Sequence, residues 1–254
     1  MKKSVKILSA LLCGALLLSG CSGGGDKPTQ TADSDKENTE TIGTFITRVE
    51  GDPSSFNPDM KSDDYLWPMA QNLFNRLYKL APGDVPIPDL ATSYEWSDDN
   101  MTLTFHLRDG VKWHDGEPFS SEDVKWTLDM IRTEGFQSNS FKMIEEITCP
   151  DANTVVIQMS SPSAAILSSL GWLGTFIFPK HIYENTDWAT NEANMHPIGT
   201  GPFKFESYEK SQTITLVRNE DYFKGAPYLD KLIFTIIPDA NTAYQAYMNG
   251  EVDD

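Results

Sequence analysis

The sequence predicts a mixed α+β fold of the α/β class, and three observations carry that expectation. Residues 102–108 alternate strictly between apolar and polar side chains, the period of a half-buried strand. Residues 121–131 and 240–249 instead carry apolar residues at three- and four-residue spacing, the period of a helix with one buried face. Strand and helix patterns interleave with short hairpin turns and no repeat recurs along the chain, which excludes a solenoid and a uniform parallel sheet.

The first element is an address. Lys2, Lys3 and Lys6 form a basic start, and residues 7–18 are an apolar run. About twelve apolar residues are too few to span a bilayer and fit the hydrophobic region of a signal peptide. Leu18-Ser19-Gly20-Cys21 follows and resembles the bacterial lipoprotein box, which implies cleavage after residue 20 and lipidation of Cys21. Two or more acyl chains anchor a protein stably where one does not. Residues 21–41 are then the lipidated cysteine and a Ser/Gly/Asp/Thr-rich linker with too few apolar residues to fold. Some twenty residues of this kind reach ~25 Å r.m.s., enough to hold a body off the membrane. With Cys13 and Cys21 assigned, Cys149 alone remains in the folded part, which leaves no internal disulfide and no cysteine-based metal cluster.

The body starts with a strand over 42–49 and a turn at Gly51-Asp52-Pro53-Ser54-Ser55. Leu66, Ala70, Leu73, Leu77 and Leu80 predict a helix over 66–80, with Pro68 tolerated in its first turn. Leu103, Phe105 and Leu107 form the core face of the next strand, with His106 on the polar face and His114 in a turn. Ser120-Ser121-Glu122-Asp123 predicts a helix start with a capping box, and Val124, Leu128 and Ile131 its buried stripe. Hairpins are expected between 142–149 and 154–159 and between 203–208 and 213–217. A strand over 232–237 and a helix over 240–249, stopped by Gly250, complete the body.

Charge and motifs narrow the function. Acidic residues outnumber basic ones 37 to 20, so phosphate backbones and anionic headgroups are repelled and no nucleic-acid partner is expected. No nucleophile elbow, zinc-protease helix, Walker loop or dinucleotide fingerprint occurs. The four histidines lack metal-site spacing, so no metal and no cofactor are expected. The doublets Asp63-Asp64 and Asp98-Asp99 read as solvated loop charge, and Gly199-Thr200-Gly201-Pro202 as a rigid turn, not a phosphate loop, because it contains no lysine and no helix is expected after it. Weight moves from catalysis toward binding.

The runs 87–96 (IPDLATSYEW), 102–108 and 109–119 (DGVKWHDGEPF), with Glu122-Asp123-Val124, resemble family 5 extracellular solute-binding proteins. These are the oligopeptide-, dipeptide- and nickel-binding components of ABC importers. Residues 197–203 (PIGTGPF), 218–230 (RNEDYFKGAPYLD) and Gly250-Glu251-Val252-Asp253 continue the resemblance in the family's order. It implies a periplasmic-binding-protein-like, two-lobed clamp. Residues 42–58 plus 197–254 would form the sheet domain of the first lobe, and 59–196 its extra subdomain. Family chains run on for roughly as many residues again. The second lobe, and with it the acidic group that receives a ligand's α-amine, is therefore expected to be missing here.

On the same resemblance Asp63, Asp64 and Tyr65, before the first helix, and Trp172 are candidate ligand-binding residues, although Trp172 reads first as core, where large aromatics usually lie. The implied protein is a monomer that catalyses nothing. It captures a peptide or small solute at the extracytoplasmic face of the cell membrane and delivers it to an ABC permease and its ATPase. A surface lipoprotein hydrolase with its site in the other half, and a sensor of the same solute, stay open as alternatives.

The anchoring expectation has a direct test. Cys21→Ser releases the protein into the medium or leaves an uncleaved precursor, and metabolic labelling with a fatty acid that still marks the Cys21→Ser protein contradicts the assignment.

Overall fold

The structure, a computed structural model, describes residues 43–60, 63–83, 85–163, 165–171 and 175–254. The expected signal peptide, Cys21, the linker and Trp172 lie outside the described residues.

In chain order the elements are β1 (Gly43–Val49), α1 (Trp67–Leu73), β2 (Tyr78–Ala81), β3 (Val85–Pro88), β4 (Ala91–Trp96), β5 (Thr102–Leu107) and α2 (Ser121–Glu134). Then come β6 (Ile144–Asp151), β7 (Thr154–Met159), α3 (Ala165–Gly171) and α4 (Lys180–Tyr183). β8 (Phe203–Glu209), β9 (Thr213–Arg218), β10 (Leu229–Ile236) and α5 (Ala240–Met248) close the order. One four-stranded sheet runs β1-β10-β9-β8, with β1 parallel to β10 and the remaining pairs antiparallel. A second, fully antiparallel sheet runs β4-β5-β7-β6, and β2 with β3 makes a small ribbon. Pairing β1 with β10 draws the first and last strands into one sheet and turns the chain between β1 and β8 into an excursion from it. Beside β1, Asp253 donates its N–H to the Ile46 carbonyl at 2.7 Å and accepts the Ile46 N–H on Oδ2 at 2.8 Å.

The period-2 pattern delivers the second sheet's core face. Leu103, Phe105 and Leu107 are buried, as are Val155, Ile157 and Met159 on the neighbouring strand. α2 begins as expected: the Ser120 N–H donates to the Asp123 carboxylate at 2.8 Å in a capping box, and Val124, Leu128 and Ile131 are wholly buried. Both hairpins, the β10 strand and α5 with Gly250 at φ +73° match the expected elements within a few residues.

The helix expected over 66–80 is shorter. α1 ends at Leu73, Phe74 is extended (φ −123°, ψ 155°), and residues 78–81 are a strand. The physical reason is tertiary. A continuing helix would offer the Leu73 carbonyl to the Leu77 N–H, but that carbonyl accepts from the Gly201 N–H at 2.9 Å instead. The Leu77 carbonyl in turn takes the Asp89 and Ala91 N–H groups at 3.2 and 3.1 Å. Leu77 stays fully buried, so its apolar period reports the core and not the helix.

Gly199 and Gly201 make this close approach possible. A Cβ on Gly199 would lie 1.9 Å from the Leu73 carbonyl oxygen, and one on Gly201 2.3 Å from that of Asn72. His114 braces the same loop. The Gly199 N–H donates to Nδ1 at 3.1 Å and Nε2 donates to the Gly201 carbonyl at 3.0 Å, which fixes a neutral ring. Burial pushes its pKa down to about 4. The turn of 197–202 is thus the rigid one expected, and both ring nitrogens of His114 are committed to holding it.

Two substitutions separate strain from collision. Gly116 sits at φ +96° with open space around it, so Gly116→Val costs about 1–2 kcal/mol in backbone strain alone. Gly199→Ala drives a methyl into the backbone of α1 and costs about 3 kcal/mol or more. Denaturant unfolding should rank them in that order, and equal or reversed costs contradict the seam.

Candidate functional site

The chain leaving β1 folds into a pinned loop. The Asp52 carboxylate accepts the Ser211 N–H and the Tyr208 hydroxyl, both at 2.7 Å, and the Ser211 hydroxyl at 3.0 Å. The Ser211 N–H bond is the foremost cause that holds the Asp52 carboxyl below the usual range, and the Tyr208 bond adds to it. The Phe56 N–H donates to the Asn194 carbonyl at 2.7 Å, and its ring meets Phe205 and Tyr208 edge-on at 5.2 and 5.7 Å. Asn57 donates to Asn194 Oδ1 at 3.1 Å.

Asp63 closes this loop from the other side. Its Oδ2 accepts the Ser54 N–H at 2.8 Å and the Ser54 hydroxyl at 2.7 Å, and Oδ1 accepts the Tyr65 N–H at 3.1 Å. Both oxygens are therefore spent within the chain, and Asp63 positions Ser54 and Tyr65. Asp64 is exposed beside it. The Tyr65 ring lies on Gly51, where a Cβ would come within 2.7 Å of it, and remains 41% exposed.

Trp67 opens α1, half-buried, with its ring 6.3 Å from Phe176 and 6.4 Å from the exposed ring of Phe136. Asp59 ties these segments together from beneath. Its carbonyl accepts the Phe136 N–H at 3.1 Å, and its wholly buried carboxyl accepts the Phe176 N–H at 3.2 Å. The result is a surface of aromatic edges (Tyr65, Trp67, Phe136) and exposed Ser54 and Asp64 on a fixed backbone. Such a surface can stack and hydrogen-bond with a ligand laid across it. A cavity of about 400 Å³, lined by Met195, His196 and residues 205–208, opens beside the pinned loop.

Asp63, Asp64 and Tyr65 are thus brought together with Ser54 and Gly51. Sequence reasoning did not find Trp67, Phe136 and Asp59. Trp67 lies within the helix expected over 66–80 and Phe136 beyond the stripe of Val124, Leu128 and Ile131, and the bonds of Asp59 to the Phe136 and Phe176 N–H groups bring those two rings together beside Trp67.

Behind the wall lies a buried polar seam. Asn75 Nδ2 donates to both Asp89 carboxylate oxygens at 2.9 Å, and Asn75 Oδ1 accepts the Thr200 hydroxyl at 3.1 Å. Lys224 pairs with Asp89, and Asn219 Nδ2 donates to the Gly201 carbonyl at 3.0 Å. The family-like runs at 87–96, 197–203 and 218–230 therefore meet at one place.

The model of the bacterial extracellular solute-binding proteins, family 5 middle, matches residues 85–254. A putative ABC transporter peptide-binding protein of Brucella ovis is 38% identical over 220 residues, covering 83% of this chain and 40% of that protein. The oligopeptide-binding protein AppA of Bacillus subtilis is 29% identical over 259 aligned positions, 99% of this chain and 47% of that protein. Among solved structures, AppA in complex with a nonapeptide superposes with a TM-score of 0.78 at 29% identity, over 84% of this chain and 44% of AppA. The substrate-binding protein CtaP of Listeria monocytogenes gives 0.76 at 33% identity, over 82% and 43%. The chain thus spans less than half the length of these relatives and carries part of the periplasmic-binding-protein fold. By the extent of the family match and the order of its motifs, this chain belongs to family 5 of the bacterial extracellular solute-binding proteins.

Proposed function

We propose that the chain supplies one wall of the ligand cleft of an ABC importer's receptor, which captures peptides at the extracytoplasmic face and passes them to a permease and its ATPase. The observation that carries this reading is the likeness to AppA in complex with a nonapeptide, together with the similarity of 83% of the chain to an ABC transporter peptide-binding protein. In this reading Cys21 holds the protein at the membrane through its lipid and the protein acts as a monomer.

Residues 42–58 with 197–254 then form the sheet domain of the first lobe, and 59–196 its extra subdomain. A second lobe supplies the facing wall and the acidic partner of the ligand's α-amine. Tyr65 and Trp172 offer faces for side chains, Asp64 meets positive charge on the ligand, and Asp63 keeps Ser54 and Tyr65 in position. A loop pinned by Asp52, Asp63 and Asn194 loses little freedom when a ligand arrives, which favours affinity. A receptor tolerant of many peptides draws affinity from backbone hydrogen bonds and leaves side chains in roomy, wet pockets.

A clamp gains affinity when two walls close and remove the ligand from water. If the two-walled cleft holds a peptide at about 1 μM, roughly −8 kcal/mol, one wall with about half the contacts falls to millimolar affinity or weaker, because immobilisation costs barely shrink. Calorimetry of the 254-residue chain against a pool of di- to pentapeptides should therefore show no measurable binding, whereas a two-lobed protein containing it should bind. Micromolar binding by the 254-residue chain alone contradicts the clamp.

A further inference from the structure

Arg76 lies between the aromatic wall and the polar seam, and its side chain is unused. Its backbone is fully engaged: the N–H donates to Asp89 Oδ2 at 3.2 Å and the carbonyl accepts from the Leu90 N–H at 2.9 Å. The residue is only 6% exposed, and its guanidinium lies over the Phe176 ring, 4.3 Å from the centroid. Stacking holds the plane of the fork in place. Yet the side chain makes no hydrogen bond among the described residues, and Nε is buried with no acceptor. A buried guanidinium with unused N–H donors is an incomplete arrangement.

The neighbouring carboxylates do not complete it. Asp89 is occupied by Asn75, Lys224 and the Arg76 backbone. Asp59 is wholly buried, with Oδ1 taken by the Phe176 N–H and Oδ2 left without a partner. Burial pushes its carboxyl well above the usual range, against the Phe176 N–H bond and the Arg76 charge, and no hydrogen bond joins it to the guanidinium. Lys79 adds positive charge. It is half-buried and forms no ion pair among the described residues. Burial lowers its pKa, and the neighbouring charges of Lys224 and Arg76 lower it further, although Asp89 opposes them. Three cations, Arg76, Lys79 and Lys224, thus gather around Asp89 in a chain whose net charge is −17.

We propose that Arg76, assisted by Lys79, binds a carboxylate-type oxyanion. A planar carboxylate matches the guanidinium fork with two parallel hydrogen bonds and adds negative charge among the three cations. The same chemistry serves a free small anion or the terminal carboxylate of a larger ligand.

Thermal unfolding of the 254-residue chain, titrated at constant ionic strength with sodium formate replacing sodium chloride, tests the site without any peptide. N-acetylglycine, against uncharged N-acetylglycinamide, forms the second arm. The expected result is a saturable rise in Tm with an anion, diminished in K79Q and lost in R76K, which keeps the charge but removes the fork. A response to formate assigns the site to small free anions. A response to N-acetylglycine but not to formate assigns it to a chain-terminal carboxylate. No saturable response to either anion, or equal responses in wild type, R76K and K79Q, overturns the proposal. R76K keeps a buried cation and K79Q a polar head at a half-buried position, so neither substitution leaves a cavity or an apolar side chain in the site.

Discussion

The contact between the backbone of Gly199-Thr200-Gly201 and the end of α1 is the constraint from which the rest of the structure follows. Two carbonyls at the helix terminus meet a loop that has no Cβ at either point of approach. The Gly201 N–H takes the Leu73 carbonyl, Thr200 takes the Asn75 side chain, and Asn75 takes Asp89. The helix must therefore stop at Leu73, and the next residues run extended toward β2. His114 holds the loop from its far side with both ring nitrogens, and Lys204 donates to the His114 carbonyl at 3.1 Å. Segments more than a hundred residues apart in sequence are thus joined by hydrogen bonds that no single element contains. One hydrophobic core runs without interruption from Val49, through Phe105 and Val124, to Phe234.

The wall owes its rigidity to that seam. α1 presents Trp67 and is fixed at its far end by Gly199 and Gly201. Asp59 connects the start of the wall to Phe136 and Phe176, and Asp52 and Asp63 tie the loop after β1 at both sides. Acidic residues here are mostly acceptors for backbone N–H groups. A strongly acidic composition is therefore compatible with a well-packed body, because several of its carboxylates replace missing secondary-structure partners.

The elements legible in the sequence were those whose pattern and packing agree. The Leu103-Phe105-Leu107 alternation, the Ser120–Asp123 box and the Gly250 stop each report a local preference that the fold keeps. The helix expected over 66–80 failed where local periodicity and tertiary bonding compete: Leu77 and Leu80 continue an apolar period, while Gly201 captures the carbonyl that the helix needs. Asp63 is instructive in another way. Its position just before the first helix was legible, but its commitment to Ser54 and Tyr65 was not, since an exposed acidic doublet reads the same whether its oxygens are free or used. Arg76 was invisible for the same reason. Its isolation depends on Phe176, a hundred residues away in sequence.

This arrangement gives the surface of Tyr65, Trp67 and Phe136 a fixed backbone. The claim on which this rests is that the seam welds the strands at both ends of the chain to the excursion between them. Native-state hydrogen exchange of the Gly201, Asp89 and Asn219 amides measures that directly. The account predicts that all three exchange only through global unfolding, at the same opening free energy as the core amides of β5 and β9. Opening of the Gly201 amide at a free energy lower by about 2 kcal/mol or more, while β5 and β9 stay protected, would contradict it.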